Sequence, residues 1–178
     1  VDIKISNPND EGIGEITVKG DNVMLGYYND KEATDNCLID GYFHTGDLGY
    51  IDEDGFLYIK GRIKNVIVTK NGKNIFPEEL EKKLSEREEI GEILVYGVDT
   101  GDFDTVVKAK IFPNHDKIKK ILGEEPDNET VRKMMLKIVE EYNQTVPSYK
   151  HIKRIEILTQ ELEKTSTRKI KRYGENVN

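Results

Sequence analysis

Lys70-Asn71-Gly72-Lys73 stands between two apolar stretches, 65–69 and 74–76, and no other local feature constrains the chain as tightly. Asn and Gly both tolerate positive φ, so an Asn-Gly pair flanked by apolar runs predicts a β-hairpin closed by a type I′ turn. A helix should follow at once. Pro77 suits its first turn, Glu78, Glu79 and Glu81 lie near its positive end, and Leu80 and Leu84 stand four apart on one face. Residues 93–98 and 105–112 are dense in β-branched side chains and read as two strands joined by a turn through Gly101-Asp102. A second helix is expected over 129–144, where Val131, Met135, Ile138 and Tyr142 recur at helical spacing, and the Met pair reads as core filling. After a polar connection over 123–128, residues 151–158 supply a last strand. A charged tail over 161–173 contains Lys164-Thr165-Ser166-Thr167, which reads as loop. The order after Arg62 is thus hairpin, helix, two strands, helix, strand, an α+β domain with helices packed on a mixed β-sheet.

The first sixty residues follow a different pattern. Strands are expected over 14–18 and 56–60, with turn signals at Asn29-Asp30, Asp40-Gly41 and Asp54-Gly55, giving a small β-rich subdomain. Val1-Asp2-Ile3-Lys4 is already strand-like and has no initiator Met, which leads to the expectation of an excised fragment that begins in mid-domain.

Length leaves two layouts open: 178 residues make one ordinary domain, or one of about 100–120 residues with a smaller unit beside it. Hydrophobic residues at 36% against 34% charged, with mean hydropathy −0.64, describe a polar chain that still has enough apolar strands to fold. The net charge of −7 argues against a nucleic-acid partner, which normally meets a basic stripe. Charge is unevenly spread, however. Residues 1–62 hold 13 acids against 5 bases, whereas 147–173 hold 8 Lys or Arg against 3 Glu, a cluster that suits either phosphate or plain solvent. No apolar run approaches about 18 residues and no signal segment opens the chain, so no transmembrane segment is expected and the cytoplasm is the default. Attachment of the basic tail to anionic lipid at the membrane periphery stays open. Cys37, the only cysteine, rules out an internal disulfide, and the scattered His44, His115 and His151 read as surface or packing residues, so no metal site is expected.

The stretch with most chemical content is Tyr42-Phe43-His44-Thr45-Gly46-Asp47-Leu48-Gly49. Thr45-Gly46-Asp47 reads locally as a turn, and a carboxylate just after Gly can accept two hydrogen bonds at the separation of neighbouring ribose hydroxyls. This stretch has company. Gly14-Glu15-Ile16 through Gly26-Tyr27-Tyr28, Gly61-Arg62, Asn74-Ile75-Phe76-Pro77-Glu78-Glu79-Leu80-Glu81 and Thr165-Ser166-Thr167-Arg168-Lys169-Ile170-Lys171-Arg172 stand in order around it. The whole set resembles the adenylate-forming superfamily of acyl-CoA synthetases, luciferases and peptide-synthetase adenylation domains, and it covers nearly the full chain.

The resemblance implies a role for each matched position. Asp47 would bind the ribose hydroxyls of ATP or AMP, assisted by the planar fork of Arg62. Lys64 would mark the hinge about which a C-terminal lid rotates between half-reactions. Lys169 would enter the site for adenylation, and Gly72 would let the hairpin backbone approach the pantetheine arm of CoA. The implied organisation is a truncated last β subdomain of a large domain over 1–61, a hinge over 62–64 and a mobile lid over 65–178. Arg168 departs from the family pattern, which favours Gly before the catalytic lysine; the variant resembles long-chain acyl-CoA synthetases and favours a fatty acid over an amino acid. The implied substrates are fatty acid, ATP with Mg2+, and CoA. The family's phosphate loop, magnesium-binding Glu and acyl pocket have no counterpart in these residues. Hence the missing N-terminal large domain is the expected partner, and the fragment alone should be inactive. Two rival readings stay open: an adenylation domain that loads a carrier protein, and a non-catalytic nucleotide-responsive module.

Overall fold

The structure, a computed structural model, describes residues 1–101 and 105–172; Asp102 of the expected turn and Tyr173 of the expected tail lie outside the described residues. The chain divides into two compact units, Val1–Val66 and Ile67–Asn178.

The first unit is an antiparallel sheet. Strands β1 (Asp2–Ser6), β2 (Gly14–Lys19), β3 (Leu38–Ile39), β4 (Tyr42–Ile51) and β5 (Leu57–Arg62) are ordered β1-β2-β4-β3, with β5 pairing the far half of β4. Asp54-Gly55 makes the expected turn between β4 and β5, where Asp52 Oδ1 accepts the N–H groups of Asp54 (3.1 Å) and Phe56 (2.8 Å). A short helix, α1 (Lys31–Cys37), was not anticipated: it buries no residue and so carries no apolar period. Its signal is Asp30, whose side chain accepts from Ala33 N–H (2.9 Å) as an N-cap.

The expected Thr45-Gly46-Asp47 turn is corrected by the structure. These residues lie inside the ten-residue strand β4, as a bulge in which three residues stand opposite Ile16 alone. Gly46 adopts φ +71, which only a residue without Cβ takes at no steric cost, and the strand continues on either side.

The second unit is the expected α+β domain. It contains β6 (Ile67–Val68), β7 (Asn74–Ile75), α2 (Pro77–Leu84), β8 (Ile90–Asp99), β9 (Thr105–Pro113), α3 (His115–Leu122), α4 (Asn128–Asn143) and β10 (Arg154–Ile157). The main sheet runs β10-β9-β8, with β10 parallel and β8 antiparallel to β9, hence mixed. Alternation along β8 and β9 sends Ile93, Val95, Ala109 and Ile111 into a core shared with Leu80, Leu84, Met135 and Ile138. Met135 is fully enclosed and Met134 packs beside it, which fits core filling. The sequence reading lacked α3. Asn114 caps it by accepting from Lys117 N–H (3.2 Å), Gly123 ends it at φ +78, and Ile118 is its single buried residue, too few for a period.

The β6–β7 hairpin is present, but its turn is not type I′. Gly72 N–H donates to the Thr69 carbonyl and Thr69 N–H to the Lys73 carbonyl, both at 2.9 Å, and of Asn71 and Gly72 only Gly72 has positive φ (+70). This is a three-residue loop closed by a glycine bulge, a conformation that leaves Asn71 in an ordinary region.

Candidate active-site elements

Two carboxylates and two threonine hydroxyls shape the site in the first unit. Glu15 on β2 reaches the bulge of β4: its Oε1 accepts Gly46 N–H (3.0 Å) and its Oε2 lies 2.7 Å from His44 Nδ1. Thr45 Oγ1 donates to the Ile16 carbonyl (2.7 Å) and accepts Asp47 N–H (3.0 Å). The bulge, which breaks the ladder, is therefore stitched by side chains, which satisfy the N–H groups of Gly46 and Asp47. Asp47 leaves this bulge opposite Arg62, its register partner on β5. Arg62 Nε lies 2.9 Å from Asp47 Oδ1, and Arg62 Nη1 donates to the Thr45 carbonyl (3.2 Å). A guanidinium fixed at two points presents the carboxylate in one orientation at a partly open surface, which suits an acceptor of paired hydroxyls. On the neighbouring strands β1 and β2 the Ser6 and Thr17 hydroxyls meet at 3.2 Å, with Thr17 buried. Lys64 lies two residues beyond Arg62, exposed, in the 3-10 turn Ile63–Asn65.

The second unit carries the other two residues expected at the site, each on a hairpin. Gly72 occupies the left-handed corner of the β6–β7 loop with open space where a Cβ would stand. Lys169 closes a loop of the same design. Thr165 N–H donates to the Lys169 carbonyl (2.7 Å), Arg168 N–H to the Thr165 carbonyl (2.9 Å), and Lys169 N–H to Thr165 Oγ1 (3.2 Å). Those three bonds repeat what Thr69, Gly72 and Lys73 make in the first hairpin, where Lys73 N–H donates to Thr69 Oγ1 (3.0 Å). Arg168 takes the place of Gly72 in this comparison, and it has φ +62. A Gly at this position would take the same backbone conformation at no steric cost. The Lys169 side chain is exposed, and among the described residues no acidic group pairs with it. It is therefore available to an incoming anion.

Flanking residues fix this loop, and the sequence reading gave them no role. On one side Lys164 pairs with Glu92 and with Glu161 (2.5 Å), and Leu162 N–H donates to Glu92 Oε2 (2.7 Å). Hydrogen bonds from Lys164 to Glu161 and Glu92 hold its ammonium above the usual lysine range. On the other side Arg172 donates to Glu81 on α2 and to the Val95 carbonyl on β8 (3.4 Å). Burial pushes the Glu81 carboxyl up, against the opposing pull of Arg172. The only advance signal was that Glu81 and Arg172 each close a matched motif.

Residues 64–174 match the model of the AMP-binding enzyme C-terminal domain. The chain belongs to this adenylate-forming family and corresponds to the C-terminal portion of an acyl-CoA synthetase. It is 50% identical over 96 residues to a long-chain-fatty-acid–CoA ligase of Bacillus subtilis (strain 168), covering 54% of this chain and 17% of that protein. It is 35% identical over 159 residues to a 2-succinylbenzoate–CoA ligase of Listeria monocytogenes serotype 4b, covering 89% of this chain and 30% of that protein. Among solved structures, o-succinylbenzoate CoA synthetase from Bacillus subtilis in complex with the acyl-adenylate intermediate OSB-AMP superposes with TM-score 0.75 at 27% identity, over 95% of this chain and 32% of that one. The chain therefore spans less than a third of the length of these relatives.

Proposed function

We propose that the chain is the C-terminal part of an ATP-dependent, AMP-forming ligase that activates a long-chain fatty acid and transfers it to CoA. The observation that carries this reading is the Asp47 carboxylate, set on a stitched bulge and oriented by Arg62 at 2.9 Å. The 50% identity to a long-chain-fatty-acid–CoA ligase supports the choice of acid, as does Arg168 before the lysine. Residues 1–61 would complete a larger nucleotide-binding domain, 62–64 would be the hinge, and the remainder a moving lid.

In the first half-reaction a carboxylate oxygen of the acid attacks the α-phosphorus of ATP, the bond to the β-phosphate oxygen breaks, and pyrophosphate leaves. Asp47 accepts the two ribose hydroxyls, and Arg62 keeps its carboxylate in place. The Lys169 ammonium neutralises charge that builds on the phosphate oxygens, a gain realised mainly in the transition state. In the second half-reaction the CoA thiol attacks the acyl carbon and AMP leaves. Torsions around Lys64 absorb the intervening rotation, and the Gly72 hairpin admits the pantetheine arm without a Cβ in the way. The Mg2+ that accompanies ATP would take its protein ligand from the part of the ligase that holds the phosphates; among the described residues there is no group of three or more His, Cys, Asp or Glu that could hold a metal ion. No described helix is long and apolar enough to cross a membrane.

The test compares the intact ligase with its Lys169→Ala variant by acid-dependent exchange of pyrophosphate into ATP, across a panel of aromatic acids and fatty acids of different chain length. Loss of exchange with a long-chain acid, and no acyl-CoA formed by the 178-residue chain alone, is the expected result. Intact exchange would overturn the role of Lys169, a preference for an aromatic acid would overturn the substrate, and transfer to a carrier protein in preference to CoA would overturn the acceptor.

A further inference from the structure

The Lys169 loop has little backbone support of its own. Among the described residues its two arms meet in a single bridge, Lys164 to Ile170, made by the bonds from Thr165 N–H to the Lys169 carbonyl (2.7 Å) and from Lys171 N–H to the Glu163 carbonyl (2.8 Å). Neither arm belongs to the β10-β9-β8 sheet. A lysine on so short a ribbon would sweep a wide arc unless the ribbon were tied down, because exposed side-chain and loop freedom is cheap to retain.

It is tied down by charged side chains on both sides. Val95, in the edge strand β8, presents both backbone groups away from β9: its N–H donates to Glu81 Oε1 (2.7 Å), and its carbonyl accepts from Arg172 Nη1 (3.4 Å). Arg172 also donates to Glu81 Oε2, and its Nε lies 3.7 Å from Glu78 Oε1 one turn earlier on α2. Glu81 is therefore bonded at once to the strand edge and to the loop, through its two oxygens. Both partners are mostly enclosed, with side chains 20% and 15% exposed, so the pair is not a screened surface contact. Glu92 makes the matching tie on the other arm, through Leu162 N–H and Lys164.

We propose that Arg172, held by Glu81, is a positioning residue for Lys169, one that sets where the ammonium stands when the lid closes for adenylation. The proposal rests on the role given to Lys169 above. Only Ile170 and Lys171 stand between the two residues in sequence, so the guanidinium anchors the arm at the point where it leaves the loop, while Lys164 anchors the point where it enters. The design differs from the Gly72 hairpin, whose arms are the paired strands β6 and β7 and lead directly into α2. That hairpin shares α2 with the Arg172 anchor but not the anchor itself. Loss of Arg172 should therefore harm the half-reaction that uses Lys169 and spare the one that uses the Gly72 hairpin.

The experiment compares Arg172→Met, Arg172→Lys, Glu81→Gln and Lys169→Ala in the intact ligase. Adenylate formation is followed by pyrophosphate exchange, and thioester formation is followed separately from supplied acyl-adenylate and CoA. Arg172→Met and Glu81→Gln are expected to lower kcat of adenylation by about tenfold or more with KM for ATP little changed, since a misplacement of about 1 Å is costly, while the thioester step stays within about twofold. Arg172→Lys should recover part of the loss, since it restores one bond to Glu81 but not the fork. Equal loss in both half-reactions, tracking a fall in Tm, would make the pair merely structural and overturn the proposal, as would full adenylation in Arg172→Met. If Lys169→Ala itself leaves adenylation intact, the underlying reading of Lys169 fails and the positioning role goes with it. If Lys169→Ala abolishes adenylation while the Arg172 and Glu81 variants do not, only the positioning role fails.

Discussion

Asp47 and Arg62 are register partners across β4 and β5, and their side chains close a contact of 2.9 Å beside a bulge that would otherwise leave the carboxylate free to rotate. Because the side chains are 32% and 58% exposed, the pair contributes little to stability, at most about 1 kcal/mol. Its worth lies in orientation. Asp47→Asn should leave Tm nearly unchanged and weaken AMP binding by about 1.5–3 kcal/mol, the cost of losing a charge-assisted acceptor. Calorimetric titration of the intact ligase with AMP checks this, and unchanged affinity would remove Asp47 from the nucleotide site.

Glu15 gives a second expectation at the same bulge. Glu15→Ala removes the acceptor of Gly46 N–H and the partner of His44 together, so Asp47 and Arg62 lose the frame that aligns them. Stability should fall by about 1–3 kcal/mol, and AMP affinity should drop even though Glu15 is assigned no contact with the nucleotide. Chemical denaturation and AMP titration of the same variant separate the two effects; a loss of stability with normal affinity would show that the frame is not needed for binding.

Arg168 sits at φ +62, where an L side chain costs roughly 1 kcal/mol. Arg168→Gly relieves that cost, offset in part by the greater freedom of Gly in the unfolded chain, and should raise stability by about 0.5 kcal/mol. Arg168→Val should lower it by about 1 kcal/mol or more, because a β-branched residue fits that region worse. Thermal melts of the 178-residue chain decide the matter, and a reversed order of the two variants would contradict the loop geometry.

Burial, with a smaller push from the Glu79 carboxylate, raises the Tyr142 hydroxyl to about 12. An unfolded tyrosine titrates near 10, so the folded protein holds this proton more tightly. The stability linked to it is fully present below about pH 10 and is lost as pH rises toward about 12. Tyr142→Phe keeps the ring and deletes the titration. Urea midpoints measured from pH 9 upward should therefore fall less steeply for the variant, and parallel curves would be evidence against the shift.

Much of the fold could be read because its signals are local. Leu80 and Leu84 mark a helix face by spacing, the β-branched runs over 93–98 and 105–112 mark strands, and Asp54-Gly55 marks a turn; each is a property of a few neighbouring residues. Elements without such a signal were missed. Helix α1 buries nothing and α3 buries Ile118 alone, so neither writes a period into the sequence. Thr45-Gly46-Asp47 has turn composition, yet the strand runs through it because Glu15 and Ile16, about thirty positions earlier, bond its irregular groups. The type I′ expectation at Asn71-Gly72 failed for a related reason: Thr69 Oγ1 accepts Lys73 N–H and favours a loop one residue longer. Of the site, the residues expected to face substrate were chosen by motif. Glu15, Glu81 and Arg172 also lie in the matched stretches, but the ties that they and Glu92 make join positions far apart in the chain and are set by the folded arrangement of strands and helix.

The two bonds at Val95 have an effect unrelated to chemistry. An outer strand with bare N–H and carbonyl groups invites a stranger's strand to add on, the first step of fibrous aggregation. At Val95 both groups are already taken, one by Glu81 and one by Arg172, and the segment that carries Lys169 lies in the approach path. The same charged pair therefore shields the sheet from self-association, and a chain that loses it should become harder to keep in solution before it becomes hard to fold.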